Sequence, residues 1–567
     1  MKRHMFNLRA NWNITNWLSA EATVNYQLED TDNRDFKGDS NRNPMRAIMN
    51  LPRDATVGEM IPRKDINGRP FSRDGFYNPY WLLNECTNGD DRDWFRGNLS
   101  LTIKPLKGLS VRLRASADTQ KKNGWKFDNY YSMWDIDGRY ETFKEASTNY
   151  NYEGLVTYST SFKDISFNAN AGASLQKNSW NKLTSIVEQL AAPDIKSLSN
   201  NASILKGSED YSGKEKQSLY GMVSVGYKGI FVDGTFRNDW SSSLPRANNS
   251  YFYASGSASL VLTDIMPAMK SKTLSFAKLR GSIARVGNDC GFDQLVNGYI
   301  YGGLFRNDMP WFTGDTYRKN PNLKPETTIS KEVGLEVHLF ERRLTADITY
   351  YAKSTRDQIV QSSLSYLSGY QRRLINSGEI SNKGWEISLT ATPVKTRMFE
   401  WTTIVNWSKN NSMVESLPDG IDKIQIGSGM YDTKSYAEVG KPYGALYAHT
   451  FKRDEAGNIL CSIDGAPKEA ADLKYVGCVQ ADWRGGWSNS FHIGNVGVSF
   501  MVDFQKGGKF LSQSATMGAT DGQTIQSLEG RDENFFSQRI LGENGEERNG
   551  FMNPSYANDP NKNSVVY

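Results

Sequence analysis

The chain of 567 residues is poor in most of what marks an enzyme or a helical membrane protein. It has no run of 18 apolar residues, and its mean hydropathy is −0.59. Helical membrane spans are therefore excluded, but spanning β-strands are not, because only alternate residues of such strands are apolar. Cysteine is scarce: Cys86, Cys290, Cys461 and Cys478 show no CxxC or other metal-like spacing. They read as incidental thiols, with a Cys461–Cys478 bridge as the alternative in an oxidising compartment. The four histidines, His4, His338, His449 and His492, form no HxxxH or HExxH, so neither zinc nor haem is expected. No GxSxG is present, and no cofactor is expected. Net charge is +4, too little to argue for nucleic acid or for general attraction to an anionic surface. The first residues, MKRHMFNLRANWNI, contain no apolar leader segment, so the chain is expected either to stay in the cytosol or to be a fragment of an exported protein.

What is abundant is alternation. In NPNLKPETTISKEVGLEVHLFERRLTADITYYAKSTRDQIV (320–360), Val333, Leu335, Val337 and Leu339 share one parity and Glu332, Glu336 and His338 the other. After a reversal at Glu341-Arg342, Leu344, Ala346, Ile348 and Tyr350 alternate with Thr345, Asp347 and Thr349. This is a hairpin with one apolar and one charged face. A soluble sandwich would turn the charged face outward. A membrane barrel would turn it inward, with the apolar face in lipid.

Seven more hairpins are expected: Arg3–Ile14 with Trp17–Glu29, Trp94–Lys104 with Leu109–Asp118, Tyr152–Phe162 with Ile165–Gln176, and Leu219–Tyr227 with Ile230–Trp240. The rest are Tyr251–Leu262 with Leu274–Val286, Trp385–Thr392 with Phe399–Trp407, and Trp487–Ile493 with Val496–Phe504. Between them run long polar stretches, only the tip after Trp240 being short, with one isolated helix near Met45–Asn50. Compact soluble domains rarely repeat loops beyond about 12–15 residues, whereas outer-membrane barrels place short turns at one end and long loops at the other. Trp12, Trp17, Trp240, Trp401 and Trp407 fall near strand ends, as interfacial girdles require. A barrel of about 16 strands is favoured over a soluble multi-sandwich.

Motifs then carry a resemblance. Asn320-Pro321-Asn322-Leu323-Lys324 before Glu326-Thr327-Thr328, Asn376–Gly384 leading into Trp385-Glu386, Gly440–Gly444 followed by Asp454, Gly457 and Asn458, and Asp482–Gly486 with Asn489 and then Lys506–Gly508 stand in one order. Together they resemble the SusC/RagA family of TonB-linked outer-membrane transporters. Pro325 stands where many relatives carry an aromatic residue, and Ala481 where proline is usual. The resemblance implies an all-β, antiparallel transmembrane barrel with about 16 of about 22 strands in this chain. It also implies that residues 1–567 are part of the barrel alone, with plug, TonB box and final strands elsewhere. The implied function is import of an oligomeric nutrient (glycan or peptide), with a SusD-like surface lipoprotein, TonB and outer-membrane lipid as partners and no catalysis. A passive porin or adhesin, or a barrel enzyme, is the alternative.

For ligand contact the sequence offers loop aromatics: Tyr77, Tyr80 and Trp81 in FYNPYWLL, and Trp311 and Phe312 in NDMPWFTG. Such rings stack on sugars and peptides, but they also pin loops together. Asp135-Ile136-Asp137-Gly138 with Glu141 reads as a turn, with a surface calcium loop as the alternative. Gly302-Gly303 and Gly507-Gly508 lack the strand–helix context of phosphate loops.

Overall fold

A computed structural model describes residues 1–525 apart from 39, 52–53, 73–76, 306–308, 419 and 462–467, and beyond 525 only the short strands Ile540–Gly542 and Glu547–Arg548. One sheet of 16 strands dominates it. Its first ten strands are β1 (Lys2–Asn13), β2 (Leu18–Asp32), β3 (Cys86–Leu106), β4 (Leu109–Asp128), β5 (Arg139–Phe162), β6 (Ile165–Val187), β7 (Lys206–Tyr227), β8 (Ile230–Ser241), β9 (Ser250–Val261) and β10 (Leu274–Asn288). Six follow: Glu326–Leu339, Leu344–Arg356, Glu379–Lys395, Phe399–Ser416, Ala481–Ile493 and Val496–Gly507. Each strand pairs antiparallel with the next in sequence order. Among the described residues, no ladder joins Lys2–Asn13 to Val496–Gly507.

All eight expected hairpins are present, and the central one fixes the faces. Leu335 lies opposite Ile348 and Val337 opposite Ala346, while Glu336 lies opposite Asp347. The reversal spans Phe340–Arg343, with Phe340, Glu341 and Arg342 all at positive φ. The outward parity continues around the sheet through Leu99, Leu113, Val156, Leu219, Val232 and Ile283, all exposed. A belt of this extent in water would invite association; against hydrocarbon it is the favourable arrangement, and the ladder satisfies the backbone.

The expected limits of several strands are corrected. β4 runs ten residues past Asp118, β5 begins at Arg139 rather than Tyr152, and β6 and β7 reach Val187 and Lys206. β5 and β6 are 24 and 23 residues long, where a membrane crossing needs about 9–11. Their upper halves therefore stand clear of the hydrocarbon. With water on both faces there, alternation no longer marks a strand. The connection 129–138 is accordingly short, as is the tip after β8.

The expected helix near Met45 is α1 (Pro44–Met49), capped by the Asn43 side chain, which accepts from the Met45 amide at 3.0 Å. A second helix, α2 (Pro79–Glu85), occupies a stretch read from sequence as loop. Asn78 accepts there from the Tyr80 and Trp81 amides at 2.9 and 3.2 Å, and Pro79 takes the first helical position, where its missing N–H costs nothing. A further correction is the helix Gln513–Thr520, in a tail expected to be loop-like.

Candidate functional site

Strand parity places a polar wall on the face opposite the apolar belt. Arg280 of β10 donates to both carboxylate oxygens of Asp347, at 2.8 and 2.6 Å, and to Thr349 Oγ1 at 2.7 Å. Asp347 lies two strands away, so the guanidinium must cross the intervening strand. It crosses at Gly334, which pairs with Arg280 on one side and Thr349 on the other. A Cβ at Gly334 would come within 2.6 Å of Arg280 Nε. The same device recurs twice. Tyr220 lies flat over Gly172 to donate to Glu153, and Tyr351 lies over Gly384 to donate to Asn410 at 3.1 Å. In each case glycine lets a long side chain tie three strands together on the inner wall.

Two of these ties, those of Arg280 and Tyr220, border open clefts. One, of about 630 Å3, is lined by Arg280, Asp347, Glu386, Asn406, Arg484 and Asp503. The other, of about 660 Å3, is lined by Arg96, Asp118, Asn151, Glu153, Tyr220 and Arg237. Arg96 pairs with Asp118 at 2.9 Å, and Arg237 with Asp239 at 2.8 Å. Both clefts offer dense donors and acceptors with charge of both signs. His338, on the same parity, meets Glu336 at 2.9 Å, in keeping with its expected place on the inner wall. Neither cleft was legible from sequence, because each draws on side chains brought together only by register.

The loop aromatics divide. Trp81 is 3% exposed and forms a small core with Ala47, Leu82 and Cys86. Tyr77 packs on that core and on Trp134, ring centroids 5.8 Å apart. Tyr80, the other aromatic of α2, is half-buried. The opposite holds for Trp311 and Phe312, at 46% and 60% exposure, in a hairpin of Tyr299–Phe305 with Met309–Gly314. The Gly302-Gly303 pair is a bulge there, and the Trp311 indole rests on Gly302, where a Cβ would come within 2.4 Å of the ring. Phe312 meets Tyr301 at 5.8 Å.

Arginines fasten the long first loop to the rim. Arg34 pairs with Asp90 at 2.5 Å and with Glu29 at 2.6 Å. Arg42 pairs with Asp128 and, at 3.0 Å, with Asp135, while its guanidinium lies 5.2 Å from the Trp134 ring centroid. Burial and the nearby Asp128 push the Asp135 carboxyl up to about 6. Asp135–Gly138 is a turn with Gly138 at positive φ, and Glu141 is held by Lys126 and Arg139 at 3.0 and 3.1 Å. Among the described residues no group of three His, Cys, Asp or Glu is placed to hold a metal. Cys478 is a free thiol whose Sγ lies 3.7 Å from the Tyr443 carbonyl oxygen; the Cys461 side chain lies outside the described residues.

An antiparallel sheet with an apolar outer belt, a charged inner wall and long loops gathered at one end is the pattern of an outer-membrane β-barrel. The chain belongs to the family described as TonB dependent receptor-like, beta-barrel, which it matches over residues 48–530. Among its relatives, TonB-dependent receptor P3 of Formosa agariphila is 24% identical, over 77% of this chain and 47% of that protein. SusC of Bacteroides thetaiotaomicron is 28% identical, over 25% of this chain and 16% of SusC. The structure of the RagAB peptide transporter shares the fold, with a TM-score of 0.74 at 18% identity over 89% of this chain and 57% of that one. This chain spans less than half the length of the curated relatives it matches. The resemblance to the SusC/RagA type thus holds across sequence and fold, and the barrel is one of the outer membrane.

Proposed function

We propose that this chain forms wall and mouth of an importer for an oligomeric nutrient, glycan or peptide, working beneath a SusD-like surface lipoprotein and energised through TonB. The observation that carries this reading is the inner wall: two clefts of several hundred Å3, rich in paired charges and amides, face the space a cargo would cross. Hydroxyls and peptide groups find partners on such a wall, while the paired charges keep the local field balanced. Trp311 and Phe312, exposed on their hairpin, supply flat faces for a sugar ring or an apolar side chain. Tyr77 and Trp81, packed in the loop core, act instead by holding that loop in shape.

The test is uptake of labelled oligosaccharides and oligopeptides by cells producing the whole protein with the lipoprotein encoded beside it. Uptake of one class that stops when a protonophore collapses the inner-membrane gradient, together with co-purification of the lipoprotein, is the expected result. Uptake that continues without the gradient would make the protein a passive pore.

A further inference from the structure

The net charge of +4 conceals a marked asymmetry. The short connections at one end of the sheet are 14–17, 107–108, 163–164, 228–229, 262–273, 340–343, 396–398 and 494–495. They hold Lys107, Lys163, Lys228, Lys270 and Lys272. Arg342, Arg343 and Arg397 bring the basic residues to eight, against three acidic ones, Asp164, Asp264 and Glu341. The surplus of five exceeds that of the whole chain, so everything else sums to −1. All eight are exposed, and only Lys228 has a carboxylate partner among the described residues, Asp164 at 3.3 Å.

Their setting is the edge of the apolar belt. Phe162, 69% exposed, and Tyr227 both point outward at the last position of their strands. Lys163 and Lys228 follow them, each ammonium 5.4–5.5 Å from the preceding ring centroid. Both lysines occupy the left-handed region, with φ of 50° and 41°, in two-residue turns where Asn or Gly is the less strained choice. Lysine at these positions does not follow from turn chemistry. An outward aromatic followed by a basic residue matches the boundary between hydrocarbon and headgroups, where rings sit at the interface and cations reach phosphate.

We propose that this basic rim binds anionic phospholipid headgroups in the leaflet that borders the short turns, which in an outer-membrane barrel is the periplasmic leaflet. Lys163, Lys228, Arg342 and Arg343 form its core. The contact continues the lipid-facing belt, holds the barrel at a fixed depth, and selects phosphatidylglycerol-like over zwitterionic lipid.

The experiment takes the protein extracted from outer membranes and exchanges it into mixed micelles holding equal phosphatidylglycerol and phosphatidylcholine. Retained lipid is then measured by native mass spectrometry. Wild type should retain phosphatidylglycerol about three- to fivefold over phosphatidylcholine, declining toward parity in high salt. Lys163→Gln/Lys228→Gln/Arg342→Gln/Arg343→Gln should bring the ratio near one, while the control Lys121→Gln/Lys144→Gln, on the upper strands, should leave it unchanged. Should the quadruple variant fail to assemble, the two doubles Lys163→Gln/Lys228→Gln and Arg342→Gln/Arg343→Gln are read instead, each expected to lose part of the preference. A ratio of one in wild type, or an equal fall in the control, would overturn the proposal.

Discussion

The lower and upper parts of the sheet dispose of their apolar residues differently. At membrane level Leu335, Ile348 and Val232 face outward, and charges such as Arg280–Asp347 face in. Above it, β4, β5 and β6 carry polar groups on the same walls, and apolar residues retreat into small cores beneath the loops. One contains Ala47, Trp81, Leu82 and Cys86; another contains Phe127, Val187 and Leu190. Side-chain burial is thus set by the solvent at each height. Below, removing an outward apolar group changes a contact with lipid; above, it leaves a cavity.

The largest expected effect falls on the upper half. Trp81→Ala should cost about 3–5 kcal/mol of local stability, because it empties the center of a core with few members. The check is hydrogen exchange over residues 44–86: protection should fall there and persist in the strands at membrane level. A uniform loss would mean that the two halves are one cooperative unit.

In the lower half, Leu335→Arg should cost about 2–4 kcal/mol near the bilayer midplane, and Glu336→Arg much less. The folded fraction after refolding, read from heat-modifiable migration, distinguishes them. Equal defects would erase the difference between the faces.

A smaller effect concerns the inner wall. Gly334→Ala should lift Arg280 off its path to Asp347 and cost about 1 kcal/mol. Combined with Arg280→Ala the two changes should be far from additive, because both remove the same contact. Additive losses would show that Gly334 matters for its backbone alone.

The least effect is one of pH at the loop clamp. Asp135 has a folded value raised to about 6 by burial and by Asp128. Below the unfolded value near 4 its protonation favours neither state. As pH rises through 4 to 6, the unfolded loop releases its proton first, so this group's contribution to loop stability declines. Protection of residues 129–138, corrected for intrinsic exchange, should therefore be greater at pH 5 than at pH 7, and Asp135→Asn should flatten that slope.

The membrane-level strands were legible because water on one side and lipid on the other impose a period of two. Alternation failed where both faces are wet. In β4 the run Lys121-Lys122-Asn123 gives no sign of being strand, although it pairs with Asp93, Arg92 and Asp91. The helix at Pro79 did carry a signal, Asn78-Pro79, which is N-cap chemistry followed by a first-turn proline. Trp81 read as a candidate for ligand because the partners that bury it, Ala47 and the Ser132 hydroxyl 3.4 Å from its indole nitrogen, are distant in sequence. The inner clefts could not be foreseen for a similar reason: Arg280, Asp347 and Arg484 line one cleft only once five ladders are in register.

The central claim is the assignment of faces, and spin labels placed singly at residues 332–337 test it most directly. The labelled cysteines are introduced one at a time into protein whose four native cysteines are replaced by serine, reconstituted in outer-membrane lipid. Collision rates with oxygen, which concentrates in hydrocarbon, should peak at 333, 335 and 337. Collision rates with a water-soluble nickel chelate should peak at 332, 334 and 336, out of phase with the first. Rates rising and falling together along the strand, or oxygen peaking at 332, 334 and 336, would contradict the account.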